Sequence, residues 1–318
     1  MSHRPQRVVP EFTQVVWGER LAAHVEHLAR DWLLEDLEHE SDWTSIGLVG
    51  PDARSELAVV ARRPGVIAGL PAATVAAGVA DAALAFRPLV ADGAAVDRGQ
   101  TVATLAGPTR SVLAAERTVL NLLGRMSGVA TAMRRLVDAV HGTPCRVYDT
   151  RKTVPGWRLL DKYATRMGGG WNHRLGLHDA ILIKDNHLAA AAVAGVSPAD
   201  AVRTSRAFVS KTFPPARAAG MVVEVEIDSF AQLADVLDAG PDIVLLDNMD
   251  LAELARCVAT RNSRAPDVVL EASGGIRPET VATIAATGVD RVSTGWPTHD
   301  APWLDVALDW KQESPARA

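Results

Sequence analysis

Apolar residues recur three and four positions apart at Val119, Leu122, Leu123, Met126, Val129, Ala130, Met133, Leu136, Val137 and Val140. That spacing predicts one long helix with a continuous apolar face. Gly124, Ser127 and Gly128 on the same stretch allow close packing. Beyond it the pattern changes. Short apolar runs at 145–148, 180–183, 222–227, 243–246, 268–270 and 291–293 alternate with helical patterns near 155–167, 198–209, 229–239, 251–261 and 278–287. Strands alternating with helices at this interval predict βαβ units and a parallel sheet. The fold class expected is α/β: an incomplete, TIM-like parallel α/β barrel of fewer than eight strands, behind an N-terminal α+β sandwich domain. An open doubly wound sheet is the rival, but no G-x-G-x-x-G follows the first strand to support dinucleotide binding.

Ahead of residue 115 the pattern is mixed. Residues 11–37 read as a helix, with Val15, Val16, Leu21, Val25, Leu28 and Leu33 on one side. Residues 55–62 and 65–70 read as strands parted by Pro64, residues 71–86 as an Ala-rich helix, and 92–106 as short strands joined by glycine turns. A carrier hairpin would need a lysine at its tip, and the tip here is Asp97-Arg98-Gly99-Gln100. The expected division is a sandwich domain at 1–115 and a barrel at 116–299, with a terminal helix over 300–318 packing back on the sandwich.

Composition narrows the class. A 318-residue chain that is 48% hydrophobic and 22% charged is globular, and its net charge of −5 argues against nucleic acid as a partner. Cys145 and Cys257 are the only cysteines, too few for a disulfide framework. Residues 1–6 are polar, no leader is expected, and no apolar run reaches membrane-spanning length. A cytoplasmic enzyme is the expectation. Only five of the 33 basic residues are lysines, and Lys152, Lys162 and Lys184 cluster together.

The polar residues gather at the carboxyl ends of the predicted strands, where αβ barrels build active sites. Asp149, Arg151 and Lys152 follow the first strand, Lys184 and Asp185 the second; Glu226 ends the third and Asp247 the fourth. Ser273-Gly274-Gly275 and Thr294-Gly295 follow the fifth and sixth. Glu224 and Glu226, two apart on a strand, share a face. Glu226 with Asp247 offers oxygen ligands for Mg²⁺; Glu224 reads either as part of the same site or as the partner of a basic neighbour. The small-residue loops leave backbone N–H groups bare for phosphate. Between 149 and 187 seven Lys/Arg stand against four Asp, a cationic patch in an acidic chain. It predicts a small, multiply anionic ligand. Arg158, Lys162 and Arg166, four apart on a predicted helix, read as a solvated face, as do His24, His27 and His39 on theirs. His173, His187 and His299 stand among motif residues and read as functional.

The run DTRKTVPGWRLLDKYATRMGGGWNHRLGLHDAILIKDNH at 149–187 resembles the signature of the quinolinate phosphoribosyltransferases. ERTVLNLLGRMSGVAT, VEVEIDS, LLDNM, LEASGGI and GVDRVSTGWPTH resemble the same family in the same order. The resemblance implies a type II phosphoribosyltransferase that converts quinolinate and phosphoribosyl pyrophosphate, with Mg²⁺, to nicotinate mononucleotide, pyrophosphate and CO₂. It also implies a homodimer at least, with Arg117 reaching the neighbouring subunit's site. Arg151, His173, Arg174 and Lys184 would bind the quinolinate carboxylates, and Lys152 and His299 phosphate groups. Glu226 and Asp247 would serve metal and ribose, and Ser273, Gly274, Gly275 and Gly295 the 5′-phosphate. Lys152, Lys184, Glu226 and Asp247 would be the catalytic set. Trp157, Trp171 and Trp296 depart from the family pattern; packing in the outer layers is favoured over reshaping of the pocket. The alternatives are a phosphoribosyltransferase of the same scaffold acting on another pyridine acid, and a non-catalytic sensor of phosphoribosyl compounds.

Overall fold

The computed structural model describes residues 10–192 and 195–310. Residues 1–6, where no leader is expected, and residues 311–318 of the expected terminal helix lie outside them. In chain order the elements are α1 (Glu19–Leu37), α2 (Trp43–Leu48), β1 (Arg54–Ala61), β2 (Gly65–Val66), α3 (Leu70–Ala80), β3 (Ala85–Pro88), β4 (Ala95–Val96) and β5 (Thr101–Pro108). Next come α4 (Thr109–Ala139), β6 (Arg146–Tyr148), α5 (Arg158–Met167), β7 (Ile181–Ile183), α6 (Asp185–Ala192), α7 (Pro198–Thr212) and α8 (Pro215–Gly220). The chain continues with β8 (Val223–Ile227), α9 (Phe230–Ala239), β9 (Ile243–Asp247), α10 (Leu251–Arg264), β10 (Val269–Ser273), α11 (Val281–Ala285), β11 (Arg291–Ser293), α12 (Trp296–His299) and β12 (Val306–Trp310).

The chain forms two compact units. One comprises the residues up to Gln14 with Arg135–Val154 and Gly170–His299; the other comprises Val15–Arg134, Pro155–Gly169 and the residues from Asp300 onward. The expected division at 115 falls inside α4, which the apolar repeat carries unbroken to Ala139.

The second unit holds an antiparallel sheet in the order β12-β1-β5-β3 and a two-stranded sheet of β2 and β4. Within the described part of the segment expected to be a helix over 300–318, Val306–Trp310 is thus a strand. Val306, Leu308 and Trp310 alternate, and the backbone pairs with β1 from Ala61↔Val306 to Leu57↔Trp310. The Ala-rich helix also ends early. At Asp81 the backbone turns extended (φ −159°) while its carboxylate accepts from the Ala83 N–H and the Ser111 hydroxyl, and β3 follows. The 65–70 strand shrinks to two residues, and the helix predicted over 11–37 begins only at Glu19.

In the first unit six parallel strands lie in the order β6-β11-β10-β9-β8-β7. Sequential strands are neighbours from β7 to β11, yet β6, the earliest, pairs with β11, the last. β6 and β7, consecutive in the chain, are thus the two edges of the sheet, the strand order of a barrel-like fold open between them. The seam falls between β6 and β7, where Trp171 extends the β6 edge by a parallel bridge to Tyr148. Parallel register carries the inward face from strand to strand: Glu226 and Glu271 both oppose Leu245, and Glu271 opposes Arg291. One layer nearer the carboxyl ends, Asp247, Ser273, Ser293 and Tyr148 stand side by side.

Candidate active site

Asp149 follows β6 and is wholly buried. Its carboxylate accepts from the His173 N–H and the Asn172 side-chain amide, both at 2.8 Å. It thereby draws the 171–175 loop over the strand end. Two bonds between Gln14 and the Asn172 backbone (2.8 and 3.0 Å) and one from the Leu175 N–H to Asp179 (2.7 Å) fix the rest of the loop.

His173 and Arg174, carried on that loop, are both about 5% exposed. His173 Nε2 lies 3.3 Å from Glu224 and 3.4 Å from Glu271, and Arg291 Nε lies 2.6 Å from the other Glu271 oxygen. Burial alone would hold the imidazole neutral, but the two carboxylates draw its pKa upward against that. Its Nδ1 accepts the Arg174 N–H at 2.8 Å, so in this geometry the proton sits on Nε2, facing the carboxylates. Burial pushes the Glu271 pKa up, yet Arg291 and then His173 outweigh it and keep the carboxyl ionised. The donor atoms of His173, Glu224 and Glu271 lie within 4.8 Å of one another, a composition that could hold a metal. Arg291 balances one of those two negative charges, and the imidazole Nε2 faces both carboxylates. Both ring nitrogens of His173 thus face groups of the protein in this geometry. Glu224 takes the role of partner to a basic neighbour. Glu271 and Arg291 were missed in the sequence, although each sits two residues before a strand-end serine and so on the same face.

Arg151 and Arg174 lie within electrostatic reach of each other, and the carboxylates of Glu224 and Asp179 also act on Arg174. Burial and then the neighbouring Arg151 depress the Arg174 pKa. Arg151 Nε is buried with no hydrogen-bond partner. Lys184, partly exposed after β7, reaches Glu226 at 2.7 Å, and the His187 ring accepts the Lys184 N–H at 3.0 Å. His187 is exposed and acts here as a local brace.

The loops after β6, β9, β10 and β11 form a second cluster. Gly274 and Gly275 have φ of +97° and +58°, and a Cβ on Gly274 would lie 2.1 Å from the Asn248 side-chain oxygen. Asn248, itself at φ 55°, donates its N–H to Ser273 and its side-chain amide to Asp247 (2.7 Å). A Cβ on Gly295 would meet His299 at 2.9 Å and Lys152 at 3.0 Å. The Thr298 hydroxyl donates to the Lys152 carbonyl at 2.6 Å. Glycine here lets the Lys152 and His299 side chains lie against bare backbone.

Other predicted residues fall elsewhere. Arg117 is exposed on α4 in the second unit. The solvated face predicted on α5 is overturned at Lys162, which is wholly buried beside Asp161; Asp161 accepts from Arg125 at 3.1 Å. Arg158 and Arg166 are half-buried. His24 bonds the Gly156 carbonyl. The Arg146 guanidinium lies 4.3 Å from the Trp171 ring and that of Arg135 5.5 Å from Trp296, while Trp157 packs on Trp32 at 5.2 Å.

Comparison with known proteins settles the lineage. The family model for the quinolinate phosphoribosyl transferase C-terminal domain matches residues 129–309, and that for the N-terminal domain matches residues 42–127. The chain belongs to the quinolinate phosphoribosyltransferase family. It is 43% identical over 279 residues to the carboxylating nicotinate-nucleotide pyrophosphorylase of Mycobacterium leprae, covering 87% of this chain and 94% of that one. A probable enzyme of the same name from Synechocystis is 39% identical, with 88% and 90% covered. The solved nicotinate-nucleotide pyrophosphorylase from Francisella tularensis superposes with a TM-score of 0.83 at 32% identity, covering 94% of this chain and 99% of that one. As a quinolinate phosphoribosyltransferase the chain acts in NAD biosynthesis as a carboxylating nicotinate-nucleotide diphosphorylase. No helix among the described residues is long and apolar enough to cross a membrane.

Proposed function

We propose that Arg151 and Arg174 grip the carboxylates of quinolinate, while the glycine loops with Lys152 and His299 hold phosphoribosyl pyrophosphate. One observation carries this reading: two neighbouring guanidiniums, one with a buried donor left unpaired. Such an arrangement is costly unless an anion completes it, and arginine binds carboxylates through paired donors. Lys184 adds a third positive charge at the same rim, tethered by Glu226. His173 supports Arg174 from behind.

Gly274 and Gly275 present N–H groups to the 5′-phosphate beside Ser273, with Gly295 completing the cradle. Lys152 and His299 meet the pyrophosphate. Glu226 and Asp247 share the inward face of adjacent strands and offer only oxygen donors, a set that fits Mg²⁺. When bound there, the metal would neutralise charge on the departing pyrophosphate.

The chemistry asks for placed charge rather than a nucleophile. The ribosyl C1–O bond to pyrophosphate breaks as the pyridine nitrogen forms its bond to C1, through an oxocarbenium-like state. The adjacent carboxylate then departs as CO₂, leaving its bonding electron pair on the ring carbon, where the neighbouring positive nitrogen stabilises it until that pair takes up a proton. Lys184 is the ammonium group at this rim. We further propose a homodimer in which Arg117 serves the partner's site, and a reducing, cytoplasmic setting, in keeping with two buried unpaired cysteines. Quinolinate consumption with one CO₂ and one nicotinate mononucleotide per turnover tests the reading. Turnover of another pyridine acid in its place, or binding without turnover, would reject it.

A further inference from the structure

Glu11–Gln14 lie ahead of the residues matched by either family model, which begin at 42. They form no helix or strand, yet three of the four are fastened inside the first unit. Phe12 is 4% exposed and packs with Tyr148, Ala180, Val222 and Ile243. Ala180, Val222 and Ile243 stand at the amino ends of β7, β8 and β9, whereas Tyr148 ends β6. The Phe12 ring face stacks on His173, with ring centroids 4.3 Å apart, and the Arg291 guanidinium lies 5.0 Å from its centre. The Glu11 carboxylate accepts from the Tyr148 hydroxyl at 2.8 Å and faces Arg146 and Arg291 at 3.4 and 3.6 Å. Gln14 bonds both backbone groups of Asn172.

The contacts of Phe12 with His173 and of Gln14 with Asn172 fall on the two residues ahead of Arg174. Asn172 and His173 precede Arg174 directly, and the His173 ring receives the Arg174 N–H. Beyond the Trp171 bridge to Tyr148, residues 172–175 belong to no helix or strand that would fix them by a ladder of bonds. Side-chain bonds from outside the loop must do so, and carboxylate recognition tolerates only about 0.5 Å of error in its donors. Phe12 also keeps water from the buried charges of His173, Glu224, Glu271 and Arg291, which strengthens the pairing that orients the imidazole.

We propose that the Glu11–Gln14 arm is a positioning element for quinolinate recognition, with Phe12 and Gln14 acting through His173 and Asn172 on Arg174. The inference rests on the assignment of Arg174 to the quinolinate carboxylates. Neither arm residue touches substrate.

The test compares Phe12→Leu, Gln14→Ala and Arg174→Ala in the full-length protein, measuring kcat, both KM values and the melting temperature. Phe12→Leu retains apolar bulk but loses the stacked face, and Gln14→Ala removes two bonds without opening the core. The expected result is a quinolinate KM raised roughly ten-fold in each arm variant, on the scale of small misplacements of a binding group. The KM for phosphoribosyl pyrophosphate stays within two-fold, and melting falls by only a few degrees. Unchanged quinolinate KM, or equal rises in both KM values, would overturn the proposal. Arg174→Ala separates the two layers of argument. If it selectively weakens quinolinate while the arm variants do not, the arm alone is wrong. If it does not, the carboxylate assignment fails and takes the arm with it.

Discussion

At Arg151 the guanidinium has a donor inside the protein and nothing there to receive it. Replacing it with alanine removes one side of a charge pair that only substrate completes. Because Arg151 is half-exposed, the loss belongs at the low end for such pairs, about 2 kcal/mol or roughly 30-fold in quinolinate affinity. Isothermal titration of Arg151→Ala should show that loss with phosphoribosyl pyrophosphate binding unchanged; parallel loss of both would reject the assignment. Single residues were legible in the sequence where parity on a strand decided their direction. Glu224 and Glu226 share the inward face as their spacing requires, and the same rule applied to Glu271 and Arg291 would have found them. Lys162 was illegible. Charges four apart on a helix look solvated when the segment is read by itself, and only tertiary packing tells that this one is enclosed.

Elements were legible where the periodicity was long. The α4 repeat and all six parallel strands stand close to their expected positions, because buried parallel strands carry unbroken apolar runs. Errors came where a short alternation was read as a helix. Val306, Leu308 and Trp310 repeat every second residue, a strand signal in plain view. In the 11–37 segment, Val15 and Val16 extended a helical pattern backwards across Gly18, and so hid the arm.

Glycines on helices give a test of packing at this scale. In α4 a Cβ on Gly128 would lie 2.4 Å from the Pro302 carbonyl, whereas on Gly78 in α3 it would meet nothing within 4 Å. Gly128→Ala should destabilise the protein by about 1–3 kcal/mol despite alanine's better helix propensity. Gly78→Ala should stabilise it by about 0.5–1 kcal/mol. Chemical denaturation checks both, and equal effects would deny the close approach. Likewise Gly274→Ala combines a left-handed backbone with the Asn248 clash. It should weaken phosphoribosyl pyrophosphate at least ten-fold and leave quinolinate binding intact, as read by equilibrium titration.

For the whole molecule, fold class and activity were readable because the charged residues fall at strand ends in the order the family shares. Assembly was implied only by that resemblance. It can be tested by mixing Arg117→Ala protein with Lys184→Ala protein under conditions of confirmed subunit exchange. If Arg117 serves a partner, hybrid dimers contain one site with both residues and regain part of the wild-type rate. No recovery would place the complete site within one chain.

The strand order also bears on how the chain comes off the ribosome. The curled sheet closes only when Arg291–Ser293 reaches the edge of β6, and the antiparallel sheet gains its outer strand only from Val306–Trp310. Neither unit can finish during synthesis until nearly the whole polypeptide has emerged. A nascent chain stalled before residue 290 carries unpaired strand edges in both halves, and long-range pairing of this kind is slow. Translation-arrested fragments of this protein should therefore depend heavily on chaperones, and protease resistance should arrive late and in both halves at nearly the same chain length.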